Sequence, residues 1–136
     1  MDSIDEQILA ILTENSRLTN KEIGAKIHLT GQAVGARILK LQEKGIIEHF
    51  SVKLKREHLQ FIRVFMDSNR YASFEQTINT YAAVASIYKV SGQACYVIVA
   101  HFSQTELAAF IEELSKWGRY SVETVVADKT RAVGSD

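Results

Sequence analysis

The chain has 136 residues, 46% of them hydrophobic, with 16 lysines and arginines balanced by 16 aspartates and glutamates. That length allows one domain or two small ones with packed cores, and the even charge balance argues against nonspecific nucleic-acid binding through bulk charge. No apolar run approaches the ~20 residues that span a bilayer, the acidic start MDSIDEQ lacks signal-peptide layout, and the single Cys95 excludes an intrachain disulfide, so the expected location is a reducing cytoplasm.

Ile4, Ile8, Ile11 and Leu12 recur at helical spacing and predict a first helix over residues 3–14. Thr19-Asn20-Lys21-Glu22 is a capping box, which starts a second helix at about Asn20 with Ile23 and Ile27 on its buried face. Gly24 in that helix allows a neighbouring helix to come close. His28 and Leu29 form a turn, and Thr30 is the next N-cap.

Val34, Ile38 and Leu41 follow at i, i+4 and i+7 and face the core, which leaves Gln32, Ala36, Arg37 and Lys40 on the other side. Small residues at Gly31, Ala33, Gly35 and Ala36 let the start of this helix sit deep in a groove. Gln32 is suited to an adenine edge, and Arg37 to guanine or phosphate. Lys40 and Lys44 suit phosphate, which positions a protein without specifying sequence. Gly45 caps the helix, and residues 46–52 read as a strand, a candidate wing. Cap, short helix, turn, cap and small-residue helix start together form the layout of a helix-turn-helix reader of the major groove. The competing reading is a three-helix packing unit whose charged face is merely solvated. The DNA-contact set expected from the pattern is Thr30, Gln32, Ala33, Ala36, Arg37, Lys40 and Lys44.

Residues 53–58 are polar, of mixed charge, and read as a linker. Beyond them come a strand (61–66), a helical stretch marked by Phe74, Ile78, Tyr81 and Ala82, and a strand (84–90). A turn at Ser91-Gly92-Gln93-Ala94 leads into an apolar strand (96–102). Ser103-Gln104-Thr105-Glu106 is a second capping box, opening a helix lined by Leu107, Phe110, Ile111 and Leu114 that Gly118 ends, and the last strand covers 120–127. The order β-α-β-β-α-β is the ferredoxin-like arrangement. With both helices on one face of the sheet, the other face needs a cover, and a second copy of the chain is the natural one. A twofold dimer also supplies two recognition helices for two half-sites. The fold class is α+β, with domains over 1–48 (winged helix-turn-helix) and 61–136 (ferredoxin-like, for dimerisation and effector binding), joined by a linker strand or hinge over 49–60.

This combination resembles the Lrp/AsnC family of regulators. Arg17-Leu18-Thr19, Glu22-Ile23, Leu29-Thr30, Val34, Arg37, Leu41, Gly45 and Ile46-Ile47 fall where the family's N-terminal motif places them. The resemblance spans nearly the whole chain. It implies a transcriptional regulator that dimerises through its C-terminal domain, assembles further, and in many members senses an amino acid at contacts between subunits. Three positions depart from the pattern. Gly31 stands where the family often has proline, and His28 replaces a common turn glycine. A hairpin that often reads Gly-x-x-Asp here reads Gly92-Gln93-Ala94-Cys95, without the acid. Those four residues are the candidate effector contacts.

Other readings carry less. Nothing basic adjoins Cys95 to activate it. His28, His49, His58 and His101 show no metal-ligand spacing, and neither a phosphate-binding loop nor a nucleophile elbow is present. The expectation is therefore a DNA-binding, sequence-selective regulator on the nucleoid. It is not an enzyme, has no metal or cofactor beyond a possible amino-acid effector, and is partnered by double-stranded DNA and further copies of itself. An architectural binder that wraps or bridges DNA with little selectivity and no effector is the alternative.

Overall fold

The computed structural model describes residues 1–131. Residues 132–136, which the expected second domain includes, lie outside the described residues. The chain forms two compact units, one of residues 1–53 together with Thr130 and Arg131, the other of residues 54–129.

The first unit holds three helices, α1 (Ser3–Glu14), α2 (Asn20–Ile27) and α3 (Gly31–Glu43). Each begins at a side-chain cap that satisfies an otherwise orphaned amide. Asp2 accepts from the Asp5 amide at 2.8 Å, Thr19 from Glu22 at 3.1 Å and Thr30 from Ala33 at 3.1 Å. Asp5 and Glu22 reach back to complete capping boxes at the first two. Ile8, Ile23 and Val34, one from each helix, form a fully buried core, with Ile4, Ile11, Leu12 and Leu18 packed around it. The α2–α3 turn is tight. His28 adopts a left-handed conformation (φ 61°), and the Leu29 amide bonds the Gly24 carbonyl at 2.9 Å. A Cβ on Gly24 would overlap the Leu29 carbonyl oxygen, so this glycine serves the turn rather than the approach of a neighbouring helix. At the far end of α3, Gly45 (φ 75°) donates to Gln42 and Ile46 donates to Leu41, both at 3.0 Å, which is a Schellman closure.

The expected wing is absent: residues 46–52 form no strand. A strand needs a ladder partner, and this stretch pairs with none in its unit. Phe50 and Val52 are left 48% and 77% exposed.

The second unit is a four-stranded antiparallel sheet with two helices. Its elements are β1 (Gln60–Met66), α4 (Tyr71–Ile78), β2 (Val84–Lys89), β3 (Tyr96–Ala100), α5 (Gln104–Leu114) and β4 (Gly118–Thr124). The order across the sheet is β2-β3-β1-β4, the ferredoxin-like topology. Ile62 pairs with Ile98 and Val122, so the period of two sends Ile62, Val64, Tyr96, Ile98 and Ala100 into one core with Phe74, Ile78, Phe110 and Leu114. The opposite face presents Phe61 and Tyr88, 40% and 56% exposed, together with Val97 and Val99.

Two details lie beyond the sequence pattern. Buried Gln60 donates to the Phe102 carbonyl and accepts from its amide, both at 2.9 Å, tying the start of β1 to the entry of α5. Gly118 opens β4 rather than ending a helix, because α5 stops at Leu114. A Cβ there would overlap the Phe65 carbonyl oxygen of the neighbouring strand.

Candidate nucleic-acid interface

α3 is capped at both ends and anchored by buried Val34 and Leu41. Its outward side is therefore rigid without using its outward side chains. Gln32, Ala36, Lys40 and Lys44 are exposed, and Ala33 is half-buried. Among the described residues, the side chains of Gln32, Lys40 and Lys44 have no hydrogen-bond or ion-pair partner in the structure, so their amide and ammonium groups are available to a ligand. The Thr30 hydroxyl accepts from the Ala33 amide, and its proton remains free to donate.

Arg37 is placed differently from its neighbours. Its Nη1 donates to both carboxylate oxygens of Asp2, at 2.9 and 2.7 Å, and to Asp5 at 3.2 Å. The Arg37 hydrogen bond, and after it the Asp5 amide, hold the Asp2 carboxyl below the usual carboxylate range; the two acids in turn push the guanidinium further up. Arg37 thus ties α3 to the start of α1. Its side chain is 31% exposed and lines a groove of about 660 Å³ together with Asp2, Asp5, Ala33, Ala36, Lys40 and Lys44.

The small residues divide by face. Gly31 and Gly35 turn toward α2, where a Cβ would lie 3.2 Å from the Lys21 backbone nitrogen and 3.0 Å from the Asn20 side chain. They set the α2–α3 distance rather than groove depth, whereas Ala33 and Ala36 lie on the side lining the groove with Arg37 and Lys40. One residue of the outward face escapes the basic-residue search. Leu39 is 56% exposed, and its spacing of seven from Gln32 and three from Ala36 is the signal that finds it.

The hairpin between β2 and β3 has another character. Gly92 takes φ 129° at an exposed bend, next to exposed Gln93. Cys95 is half-buried, and its backbone is fully used: its amide donates to Val64 at 2.8 Å and its carbonyl accepts from Val90 at 3.1 Å. The adjoining Tyr96 is buried and donates to the Glu75 carboxylate. Burial, and then Glu75, hold its phenol well above the usual range.

Residues 1–42 match the AsnC-type helix-turn-helix domain, and residues 59–131 match the Lrp/AsnC ligand binding domain. The chain is 39% identical over 128 residues to the HTH-type transcriptional regulator LrpB of Bacillus subtilis, covering 90% of this chain and 86% of that protein. Among solved structures it resembles Bacillus subtilis LrpC, with a TM-score of 0.88 at 23% identity, over 97% of this chain and 99% of that one. It also resembles a transcriptional regulator of Neisseria meningitidis in complex with L-methionine, with a TM-score of 0.84 at 22% identity, over 100% and 96% of the two chains. With both of its units matched, this chain belongs to the Lrp/AsnC family of DNA-binding transcriptional regulators and is not an enzyme.

Proposed function

We propose that this regulator binds double-stranded DNA sequence-selectively as a dimer or larger assembly, with α3 in the major groove. The observation that carries the reading is a doubly capped helix on which the side chains of Gln32, Lys40 and Lys44 have no partner within their unit. Gln32 reads a base edge and Ala33 and Ala36 allow close approach. Thr30, Lys40 and Lys44 contact phosphate, as do the free N–H groups of Arg37. Residues 1–48 carry DNA binding, residues 49–60 form the connector, and residues from 61 onward carry assembly and control. The setting is the cytoplasm, on the nucleoid.

The sheet face with Phe61, Tyr88, Val97 and Val99, beside the Arg63–Glu123 ion pair, supports pairing with a second copy, because a monomer rarely leaves such a patch uncovered. Sedimentation of the full chain at twice its mass or more is expected, and a monomer at micromolar concentration would remove this element. The methionine complex of the Neisseria meningitidis protein supports an amino-acid effector, with Gly92, Gln93, Ala94 and Cys95 as contacts. A thermal-shift screen against the twenty amino acids tests this, and no shift with any of them speaks for an effector-independent protein.

The central test is affinity for a selected duplex and a random duplex of equal length across a salt series. Selective binding is expected, with Lys40→Ala and Lys44→Ala each flattening the log–log salt slope by about 0.9 per phosphate lost. Equal affinity for both duplexes at moderate salt would replace this reading with the architectural one.

A further inference from the structure

The outward stripe of α3 consists of Gln32, Ala36, Leu39 and Glu43, at i, i+4, i+7 and i+11, opposite buried Val34 and Leu41. Leu39 stands open on it at 56% exposure, while the core of its unit is built from Ile8, Ile23 and Val34 with other partners. The stripe contains no arginine: Arg37 lies to the side, held by Asp2 and Asp5. Lys40 and Lys44 run along one edge, which fits a phosphate backbone there. Glu43, which only accepts, closes the stripe.

The chemistry of that stripe is selective. Guanine is read best by arginine or lysine, adenine by a glutamine or asparagine amide, and thymine by an apolar side chain against its C5 methyl. Glu43, at the far end of the stripe, suits a cytosine amino group, while the one free amide and two alkyl groups before it match A·T pairs and offer guanine little. From residue 32 to residue 39 the helix rises about 10 Å, close to three base-pair steps of about 3.4 Å. Resting on the reading of α3 as the groove helix, we infer that the protein selects A·T pairs, with Gln32 on adenine and Ala36 and Leu39 against thymine methyl groups. Leu39 is the specificity-determining residue of that set.

The test uses the full chain and a random-sequence duplex pool. After enrichment, the selected duplex is remade with deoxyuridine in place of thymidine, which removes only the C5 methyls. Wild type is expected to enrich A·T steps and to lose affinity on the uridine duplex by about three- to fivefold per contacted thymine, the effect of one buried methyl. Leu39→Ala, at an exposed position, should keep its melting temperature, and its ratio of affinities for the thymidine and uridine duplexes should fall about three- to fivefold below that of wild type, the share of Ala36 remaining. Selective binding with no difference between the two duplexes, or a difference undiminished in Leu39→Ala, overturns the inference and leaves the DNA reading standing. Failure to bind any duplex overturns both.

Discussion

In α3 the side chains of Gln32, Lys40 and Lys44 have no partner inside their unit, while the backbone beneath them is closed by Thr30 at one end and Gly45 at the other. In the β2–β3 hairpin the backbone of Cys95 is tied to Val64 and Val90, and the side chains from Gly92 to Cys95 carry no charge. One region is a rigid frame with free ammonium groups beside a free amide, and the other is a frame that offers the uncharged amide of Gln93 and no cation. Direct recognition of a charged polymer fits the first. At the second, a ligand would have to rely on backbone and shape, or on groups from another subunit.

The largest effect expected from this contrast lies in two glycines. Gly24→Ala places a methyl against the Leu29 carbonyl oxygen and forces the α2–α3 turn open. A loss of about 3 kcal/mol in denaturant unfolding is expected, as for an overpacked core, and DNA binding should go with it because the turn sets the pose of α3. Gly92→Ala meets nothing within 4 Å and is strained only by its φ of 129°, so it should cost about 1–2 kcal/mol and leave DNA affinity near that of wild type. Equal losses at both sites would show that the hairpin is as confined as the turn.

A smaller effect separates two roles of Arg37. Replacing Asp2 and Asp5 together with asparagine removes two charges beside α3, and asparagine remains a good N-cap. Solvent screens ion pairs at the surface, so stability should fall only slightly. If Arg37 contacts phosphate, the freed guanidinium should bind DNA about two- to fivefold tighter at low salt. Weaker binding in a gel-shift titration would instead make Arg37 a strut that orients α3. The Asp2 pKa is lower in the folded chain than in the unfolded one. The stability it contributes is therefore present above the ordinary carboxylate pKa and is lost as the pH falls below about 4.

The helical unit was readable because its signals are local. The bounds of α1, the capping boxes at Thr19 and Ser103, and the turn at His28 all come from residues within a few positions of one another. The strands were readable as short apolar runs, and the Gly-containing turn between two of them placed the hairpin. What escaped depends on distant partners. Residues 46–52 have strand composition, but their unit offers no ladder to join. Arg37 meets carboxylates more than thirty residues away, which no helical wheel of α3 displays. Gly118 is required by the Phe65 carbonyl of another strand. At the site, attention to cations passed over Leu39, although its spacing from Gln32 and Ala36 already puts it on the same outward face.

The smallest expected effect tests whether the turn itself belongs to the interface. His28 occupies a left-handed conformation at φ 61°, where a Cβ costs about 1–2 kcal/mol and glycine is at ease. His28→Gly should therefore stabilise the helical unit by about 1 kcal/mol, raising its melting transition by roughly 4–8 °C for a unit of this size. The exposed imidazole belongs to no buried core, so there is no packing loss to offset the gain. DNA affinity then decides the rest. If it is unchanged, the histidine only tolerates its strain and the recognition surface is confined to α3. If the stabilised variant binds more weakly, with a flatter salt slope, His28 itself meets phosphate, and the strain at the turn is part of how that contact is held.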